Sequence, residues 1–588
     1  MRKRFIYNFG LTILLAGGFF VFTLGASAAV LEEQVNFYVD SGYDAQDRSQ
    51  LTASLKAIGE NIYFYVDNYY WNNLSGTDKN GLREKLEELA DEFDKVIYPK
   101  ERAVFGSEWS PGIDGDKRIT VLVSELTNSA GGYVKINDEY PRSQFSNSNE
   151  REMFYINALG IFDAKAKSVL AHEFQHLISF YQKTVLYGIE EEVWLNEARS
   201  EYAPTVCGYN DNYKGSYLAE RVDTFLDESS DPLGEWKNNV SDYGAVGLFL
   251  HYLVDHYGVN AITRMTLNDK VGIASVNAAL SDLGFSETFS DIFADWSVAN
   301  YLNDCEIGEG DYCYLNKNLT YQRLNVDDSA SYSGFPNLIV SRSSSSKDWS
   351  PYWYVFKQGT AQATDRDTLK LEFFGSELRG DFRAPYIVTD QNGESTVQFM
   401  SLNNQKGTAF IPNFSSLGKT IVMIPFNQYK KSGFGSNDVS VSFSFTASSV
   451  TESEVPVIEE EEIIEPVVSY PDGSLIRAKG DYKVYIINGG YKRWIQSAKI
   501  FDYYGHLNWE SIIEVSREEL SGYRESWLIR ADGDKRVYEV NGDGTKHWLN
   551  MTAEQFSITG RLWDMVYIIN TSERDLYRTG ANVMYAGY

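Results

Sequence analysis

The chain has 588 residues, which corresponds to about four domains at a usual domain size of roughly 150 residues. With 43% hydrophobic and 23% charged residues, its composition is that of a core-forming protein and excludes a mainly disordered chain. The net charge of −29 would repel nucleic acids and anionic lipid surfaces, and no basic patch offsets it. We therefore expect no nucleic-acid partner, and the 15% aromatic share favours much β structure.

The N-terminal segment predicts secretion. Three basic residues at positions 2–4 precede an apolar run over 11–24, and a small-residue cleavage site follows at 26–28. We interpret residues 1–28 as a signal peptide and expect the protein outside the cell or at the cell surface. A retained membrane anchor is the alternative, but it needs about 18–20 apolar residues. No later stretch is long enough, so we expect no transmembrane anchor after cleavage.

The next region, residues 29–325, is assigned to one domain. Up to about residue 160 it mixes helices and strands, since apolar spacing predicts a helix over 82–96 and alternation predicts a strand over 118–124. The remainder is predicted to be mainly helical. Its longest predicted helices cover 164–181, 195–206 and 245–257.

Three further regions follow. Short alternating segments over 326–449, broken by Gly, Asn and Asp, predict a β-sandwich. The Glu-rich residues 450–470 predict an acidic linker. Residues 471–588 hold two β-rich tandem repeats of about 53 residues, in which Leu475-Ile476-Arg477-Ala478 returns as Leu528-Ile529-Arg530-Ala531. The predicted fold class is multidomain α+β.

The strongest chemical signal is His172-Glu173-Phe174-Gln175-His176, inside the predicted helix 164–181. At 100° per residue the two His lie about 40° apart, so both imidazoles can reach one metal ion while Glu173 reaches its bound water. The alternative is a pair of solvated His on an amphipathic helix. Apolar neighbours such as Leu170 and Leu177 argue against it, because they predict a buried helix.

A catalytic zinc site needs a third protein ligand and an open position for water. A second predicted helix supplies Glu197, 21 residues after His176. Glu201, one turn later on the same face, could accept the free imidazole N–H of a zinc-bound His and fix its tautomer. The alternative is an ordinary acidic helix start, favoured by the helix dipole.

These motifs resemble a known group of enzymes. The HExxH helix followed by Asn-Glu-x-x-Ser-acid resembles the gluzincin metallopeptidases of thermolysin type. A closer similarity, to the secreted neutral metallopeptidases of the hyicolysin family, covers roughly half of the chain. It runs through Phe105-Gly106-Ser107-Glu108-Trp109, Pro111-Gly112-Ile113-Asp114, Glu152-Met153-Phe154-Tyr155 and the two helices to about Asn303.

The resemblance implies a thermolysin-like domain, with a mixed α/β part followed by a helical part, and a zinc cofactor. It implies His172, His176 and Glu197 as zinc ligands and Glu173 as general base. The aminopeptidase signature Gly-x-Met-Glu-Asn is absent, which favours cleavage within protein or peptide substrates. The expected function is that of a secreted zinc-dependent endopeptidase.

An oxyanion donor is also needed. Tyr243 begins a predicted helix whose sequence resembles the helix that carries the oxyanion-binding Tyr in zinc aminopeptidases of the same clan. His251 is the rival by analogy with thermolysin's donor His, and a purely packing role for Tyr243 is the third possibility. His251 and His256 are five residues apart and cannot chelate one ion together.

The cysteines and the acidic turns give two more expectations. Cys305 and Cys313 close a short loop and are predicted to form a disulfide in a secreted chain, which leaves Cys207 unpaired at a helix end. Calcium is a further cofactor expectation at Asp114 and Asp116. Tight turns are the alternative there and at the similar Asp-Gly and Asn-Gly sites of the second repeat.

The C-terminal repeats and the overall function leave alternatives. Aromatic residues in the repeats suit contact with a cell-surface polymer or a partner protein, or they form the repeats' own core. One rival function is a cell-surface adhesion protein with an inactive or structural zinc domain. Another is a zinc hydrolase acting on cell-wall peptides.

Overall fold

The computed structural model describes residues 29–127, 130–359, 365–455, 470–541, 544–558, 561, 563–580 and 582–584. The predicted signal peptide and most of the acidic linker lie outside these residues. The chain divides into two compact units, the first ending at Val455 and the second beginning at Pro456. Helices and several β-sheets occur in the first unit, so the multidomain α+β class is confirmed at that level.

A six-stranded mixed sheet begins the first unit, in the order β1-β2-β3-β4-β6-β5. The β3–β4 and β4–β6 pairs are parallel and the other pairs are antiparallel. β5 forms one edge. The strands are β1 (Gln34–Tyr38), β2 (Gln50–Ile58), β3 (Ile62–Asp67), β4 (Ile119–Ser124), β5 (Gly132–Tyr133) and β6 (Met153–Asn157).

Both faces of this sheet are covered. In β3, Phe64 and Val66 point into the core that the helices share, while Tyr63 and Tyr65 point into a second core on the other face. This alternation follows from the two-residue period of a strand. The central strands β3 and β4 are accordingly buried along their whole length.

Ten α-helices occur with the sheet in the described part of the first unit. They are α1 (Asn68–Asn73), α2 (Gly76–Glu92), α3 (Tyr98–Phe105), α4 (Ala166–Ser179), α5 (Val193–Cys207), α6 (Tyr217–Asp227), α7 (Val240–Tyr257), α8 (Val259–Leu267), α9 (Gly272–Asp282) and α10 (Phe289–Leu302). A π-helical segment extends α2 to Ile97 and another extends α4 to Val185. The start of α7 is fixed by a capping box between Asn239 and Asp242.

Two more sheets follow α10. One has the order β14-β10-β17-β8 and the other β13-β12-β15-β9-β7, while β11 and β16 form a separate pair. The strands are β7 (Ala330–Phe335), β8 (Ile339–Ser346), β9 (Tyr354–Gln358), β10 (Thr368–Gly375), β11 (Phe382–Arg383), β12 (Pro385–Thr389), β13 (Ser395–Phe399), β14 (Lys406–Ile411), β15 (Thr420–Met423), β16 (Phe426–Asn427) and β17 (Val441–Val450).

The central strands β9 and β15 of the five-stranded sheet are buried on both faces. Tyr354 and Phe356 of β9 pack with the four-stranded sheet, whereas Val355 belongs to the core of the helices. Trp349 makes edge-to-face ring contacts with Phe289 and Phe293 of α10. One hydrophobic core of the first unit therefore joins its helices to this sheet.

The second unit contains two sheets, with orders β21-β18-β19-β20-β22 and β26-β23-β24-β25-β27, and β28 pairs with β25. Its strands are β18 (Leu475–Ala478), β19 (Tyr485–Asn488), β20 (Tyr491–Trp494), β21 (Ile512–Val515), β22 (Arg524–Glu525), β23 (Leu528–Ala531), β24 (Val537–Val540), β25 (Thr545–Asn550), β26 (Tyr567–Ile569), β27 (Arg578–Thr579) and β28 (Val583–Met584). Its helices are α11 (Lys499–Asp502), α12 (Arg517–Ser521), α13 (Ala553–Ile558) and α14 (Thr571–Leu576).

Aromatic residues at matching positions of the two predicted repeats make similar ring contacts. Trp509 stacks on Phe501 with ring centroids 4.0 Å apart, and Trp563 packs on Phe556 at 4.2 Å. Both Trp side chains remain about half exposed. Each Trp side chain therefore packs against a Phe of its own predicted repeat and keeps about half of its surface exposed to solvent.

Across the part of the chain that the structure describes, no helix combines the length and apolar character needed to cross a membrane.

Candidate metal centre and active-site cleft

Helices α4 and α5 bring three predicted ligands together. His172 and His176 lie one turn apart on α4, and Glu197 projects from the first half of α5. The two His Nε2 atoms are 3.3 Å apart, and Glu197 Oε2 lies 3.3 Å from His172 Nε2 and 3.6 Å from His176 Nε2. Within the described residues, these three are the group of His, Cys, Asp or Glu side chains that could hold a metal ion.

This triangle fits a zinc ion. Tetrahedral zinc with bonds of about 2.0–2.2 Å places neighbouring ligand atoms about 3.3–3.6 Å apart, which matches all three separations. Glu197 Oε2 is also buried and has no hydrogen-bond donor. A buried acceptor that faces two imidazole nitrogens is satisfied by a shared cation.

The Nδ1 atom of each imidazole, on the side of the ring away from the ligand triangle, contacts a side chain of α5. His172 Nδ1 lies 3.4 Å from Glu201 Oε1, and His176 Nδ1 lies 3.2 Å from Ser200 Oγ. Glu201 is itself fixed by Arg221, whose Nε and Nη2 atoms donate to its two oxygens at 2.7 and 3.0 Å. These contacts aim the two Nε2 atoms at the common point.

Glu173 lies beside the metal ligands and is almost fully buried. An ideal Cβ built on Gly132 would stand 2.8 Å from Glu173 Oε1 and 2.7 Å from the Tyr155 carbonyl oxygen. The absence of a side chain at Gly132 therefore lets the edge strand β5 approach the Glu173 carboxyl group. Burial raises the pKa of Glu173 to about 8, and the Glu197 and Glu201 carboxylates add to this while His176 opposes it.

The pKa of the Glu197 carboxyl group is shifted in the opposite direction. Burial acts to raise its pKa, but the His176 and His172 imidazoles outweigh burial and lower the pKa well below its usual range. Glu197 is therefore an anion facing the two His, as a metal ligand must be. Helices α4 and α5 thus place a carboxyl group with a raised pKa near a carboxylate with a lowered pKa.

A cleft of about 610 Å³ opens in front of these residues. One side is formed by β5 and β6 with Gly131, Gly132 and Asn157, and the floor by His172 and Glu173 on α4. The opposite wall includes residues of α6 and the start of α7. The cleft is therefore bounded by the sheet on one side and by helices on the other.

Tyr243 lines this opposite wall, with its ring 6.4 Å from the His172 ring. Its hydroxyl donates a hydrogen bond of 2.9 Å to Asn238 Oδ1. Burial, and then the Glu197 and Glu201 carboxylates, raise its pKa far above the usual range, so the phenol keeps its proton. Tyr243 is therefore a protonated donor beside the ligand cluster.

His251, the rival donor, is buried deeper in α7. Its ring nitrogens contact Thr205 Oγ1 and the Gly247 carbonyl oxygen, at 3.0 Å each. Burial lowers its pKa to about 4, so its ring is neutral. Through these contacts His251, on α7, connects that helix to α5, which is a structural role.

Two residues of α6 were missed by sequence reasoning. Tyr217 lies with its ring 6.3 Å from the His172 ring, and its hydroxyl contacts Glu201 Oε1 at 3.3 Å. Arg221 binds both Glu201 and the Tyr217 hydroxyl. The only local signal was their spacing of four residues, which places them on one helix face. Their partner Glu201 is reached through tertiary packing.

The other predicted residues lie outside the cleft. A disulfide joins Cys305 and Cys313, and Cys207 is free and buried at the end of α5. Asp114 Oδ1 accepts the Asp116 backbone N–H, while Asp116 contacts Tyr63 and Arg118. These are the contacts of a tight turn in which Asp116 already has a cationic partner.

Comparison with known proteins gives one curated relative. The chain is 26% identical over 232 residues to the neutral metalloprotease ShpI of Staphylococcus hyicus, a match that covers 35% of this chain and 48% of ShpI. The chain thus spans about half the length of the curated relative it matches. No family model matches the chain.

Two solved structures show only weak similarity. The ZmpB metallopeptidase from Clostridium perfringens aligns with a TM-score of 0.23 and 12% identity, over 65% of this chain and 68% of that one. The pre-peptidase C-terminal domain of a Bacillus anthracis collagenase aligns with a TM-score of 0.14 and 12% identity, over 21% and 98%. Both TM-scores are too low to show a common fold. The resemblance to hyicolysin-type neutral metallopeptidases, predicted from the motifs, is confirmed by the ShpI match.

Proposed function

We propose that the chain is a secreted zinc-dependent endopeptidase of thermolysin-like arrangement. The observation that carries this proposal is the triangle of His172, His176 and Glu197 ligand atoms, with separations of 3.3–3.6 Å. One of these ligands, His172, lines an open cleft. Glu173, the next residue after a ligand, lies in the same cleft. A structural site would close the fourth position, but no fourth ligand joins the group among the described residues.

Zinc held by these three side chains would supply a Lewis acid for the scissile carbonyl and lower the pKa of a bound water toward about 7. Glu173 is the general base in this proposal. The carboxylate form of Glu173 takes the proton of the attacking water, and the resulting carboxylic acid passes it to the amine leaving group. The buried environment that raises its pKa suits this role, because the group must both accept and release a proton near neutral pH.

Glu201 and Arg221 act as positioning residues. Glu201 Oε1 lies 3.4 Å from His172 Nδ1, where it would accept a hydrogen bond from the Nδ1–H group and so fix the tautomer that leaves Nε2 free to bind metal. The bidentate Arg221 contact prevents Glu201 from turning toward the metal. The predicted place of Glu201 behind a ligand His is consistent with these distances.

Tyr243 is our candidate for the oxyanion donor. It is protonated, it lines the cleft, and its ring is near His172. To donate a hydrogen bond to the oxyanion, the Tyr243 hydroxyl must break its hydrogen bond to Asn238 and turn toward the substrate carbonyl oxygen. Tyr217 is the nearest competing phenol, but its hydroxyl is held by Arg221 at 2.6 Å.

Cleavage within a chain is supported by the form of the cleft. β5 is the edge of its sheet and lies beside Glu173, so an extended peptide could add to its free edge across the metal centre. The glycines at positions 131 and 132 leave room for such a strand.

The remaining assignments complete the proposal. The two sheets over 326–449 form an accessory β-sandwich, and residues 471–588 form two tandem repeats tethered by the acidic linker 450–470. The half-exposed Trp509 and Trp563 are the residues through which the repeats would contact a cell-surface polymer or protein. Calcium at Asp114 and Asp116 is not favoured, since Arg118 already pairs with Asp116.

The experiment is metal removal and reconstitution on the chain without residues 1–28. We expect the stripped protein to lose cleavage of an unfolded protein substrate and to regain it with one equivalent of zinc. His176→Ala should lose stoichiometric zinc, whereas His506→Ala, a matched control in the repeats, should keep it. Equal cleavage by the stripped protein, or full zinc retention in His176→Ala, would refute the assignment.

A further inference from the structure

A second cavity opens at the start of α5, and its lining shares no residue with the cleft described above. Its volume is about 350 Å³, within the range of about 300–1,000 Å³ that is usual for ligand sites. Residues 190–194, which lead into α5, form one wall. Gly234 and Trp236 come from the segment before α7, and Phe434 and Gly435 come from the loop between β16 and β17. Three segments that are distant in sequence therefore build this cavity.

The loop between β16 and β17 is fixed at the cavity. The Trp236 backbone N–H donates to the Gly435 carbonyl oxygen at 3.0 Å. An ideal Cβ on Gly234 would stand 2.7 Å from the Phe434 ring, so the ring packs directly on this glycine. The loop therefore supplies an aromatic wall at a defined place.

Ring contacts connect the cavity to the metal centre. The Trp236 ring lies edge-on to the Tyr243 ring with centroids 5.0 Å apart, and the Tyr243 ring lies 6.4 Å from the His172 ring. Trp194, which lines the cavity, precedes the ligand Glu197 by about one turn of α5. An extended peptide advances about 3.3 Å per residue, so a substrate bound across the metal centre would reach the cavity within about four residues of its scissile bond.

The cavity and the cleft lie toward opposite ends of α4. The α4 residues that line the cleft fall within 166–173, in the first part of the helix. At the cavity, Glu190 lies near Tyr140, since burial and then the Glu190 carboxylate raise the pKa of Tyr140. The Tyr140 ring packs 5.6 Å from the ring of Phe180, which follows the C-terminal end of α4. A peptide that crosses the metal centre would thus have the cleft on one side and the cavity on the other.

Three consecutive Glu side chains line the cavity, and they differ in their partners. Glu191 Oε2 forms a buried ion pair with Arg199 Nη1 at 3.0 Å. Glu192 accepts the Trp194 indole N–H and a backbone N–H of the loop, both at 2.7 Å. Glu190 is exposed and has no hydrogen-bond or ion-pair partner in the part of the chain that the structure describes. The Glu190 carboxylate is therefore available to a ligand.

The lining favours a positively charged side chain. Among the described residues, no Lys or Arg lines the cavity, and Lys430 of the loop pairs with Asp438 at 2.5 Å. A Lys or Arg side chain has an apolar stem that packs on aromatic rings and a charged end that binds a carboxylate. The rings of Trp236 and Phe434 suit the stem, and Glu190 suits the charged end. An acidic side chain would be repelled.

We propose that this cavity is a substrate subsite that binds a Lys or Arg side chain of the peptide being cleaved, with Glu190 as the carboxylate that recognises it. The inference rests on the proposed peptidase function and adds a substrate class to it. It also gives the strands after α10 a part in substrate recognition, because Phe434 comes from the loop between β16 and β17. Glu190 and Phe434 determine which substrate is chosen, and no step of bond cleavage uses them.

The test compares two acetylated ten-residue peptides. Ala alternates with Lys in the first peptide and with norleucine in the second, so one face of the extended peptide carries the variable side chain. Both are given at physiological salt to the chain lacking residues 1–28, loaded with one equivalent of zinc. We expect kcat/KM for the Lys peptide to exceed that for the norleucine peptide by about 5-fold or more, since an ion pair and a cation–π contact both favour Lys.

Two variants and a control locate this preference. Glu190→Gln should reduce the ratio of the two kcat/KM values to about 2-fold or less, because it removes the charge that Lys binds. Phe434→Ala should lower the ratio as well, because it removes the aromatic wall. Glu287→Gln changes the net charge equally at an exposed residue that lines neither the cavity nor the cleft, and it should keep the wild-type ratio.

Binding provides a readout that needs no cleavage. The zinc-loaded Glu173→Gln chain is titrated calorimetrically with both peptides, and we expect tighter binding of the Lys peptide and loss of this preference when Glu190→Gln is added. Equal kcat/KM for the two peptides, equal binding, or a preference that survives Glu190→Gln would overturn the subsite. If the wild-type chain cuts neither peptide while the binding preference depends on Glu190, the proposed peptidase function fails and the subsite stands.

Discussion

At the scale of single residues, neighbouring carboxyl groups at the cleft differ in the charges and the burial that surround them. Glu197 faces two imidazoles and stays ionised, whereas burial favours a proton on Glu173. Glu201, behind His172, is neutralised by Arg221. In the proposed mechanism, three acidic side chains within one pair of helices therefore take three separate roles: ligand, proton carrier and positioning group.

Replacing Tyr243 by Phe tests the oxyanion donor. We expect kcat for cleavage of a peptide substrate to fall by about 10²-fold or more with KM little changed, because the lost hydrogen bond forms in the transition state. Zinc content should not change. Tyr217→Phe is the matched comparison, and it should affect kcat less. If Tyr217→Phe instead causes the larger fall in kcat and Tyr243→Phe the smaller one, Tyr217 is the donor.

The sequence could predict the ligand pair, since the positions of His172 and His176 follow from helix geometry alone. It could also indicate Glu197 and Glu201 through their motif spacing. It could not indicate Arg221 or Tyr217, because these reach Glu201 only through the packing of α6 beside α5 and α7. Contacts between separate helices leave no periodic trace in the sequence.

At the scale of elements, the edge strand β5 and helix α4 define the active side of the cleft. β5 pairs with β6 on one side only, and Gly132 lies against Glu173. Sequence periodicity predicts α4 well, because its buried stripe repeats at 3.6 residues. It does not predict β5, since a two-residue strand is too short to show alternation.

Adding one methyl group to β5 tests the close approach. In Gly132→Ala the new Cβ would meet Glu173 Oε1 at 2.8 Å and the Tyr155 carbonyl oxygen at 2.7 Å. We expect at least a 10-fold loss of kcat/KM with zinc retained, because the carboxyl group or the strand must shift. Gly131→Ala is the control, since its Cβ would meet only the Val169 side chain, with Cγ2 at 3.4 Å and Cγ1 at 3.8 Å. Similar activity in both variants would contradict the argument.

At the scale of the whole molecule, the helices and the five-stranded sheet share one core. Trp349 and Trp353 are each 1% exposed, and Trp353 Nε1 donates to the Ser297 carbonyl oxygen of α10 at 3.0 Å. The sequence pattern changes at about residue 325, from mainly helical apolar spacing to short alternating segments typical of strands. It does not indicate that they fold together, because the shared core uses long-range contacts between buried aromatic residues.

Two truncations test this dependence. A chain of residues 29–325 loses both Trp side chains and exposes the apolar face of α10, so we expect it to aggregate or to unfold without a cooperative transition. A chain of residues 29–455 keeps the whole first unit and should retain zinc and cleavage. Circular dichroism melting and zinc analysis measure both. A stable, active 29–325 chain would contradict the shared core.

The central claim is that Glu173 activates water at a zinc centre, and Glu173→Gln tests it most directly. Wild-type and variant chains lacking residues 1–28 are compared at equal zinc content, on an unfolded protein substrate. We predict that the variant binds zinc normally and that its kcat falls by several orders of magnitude, since the amide cannot accept the proton. Cleavage by the variant within 10-fold of wild type would contradict the account.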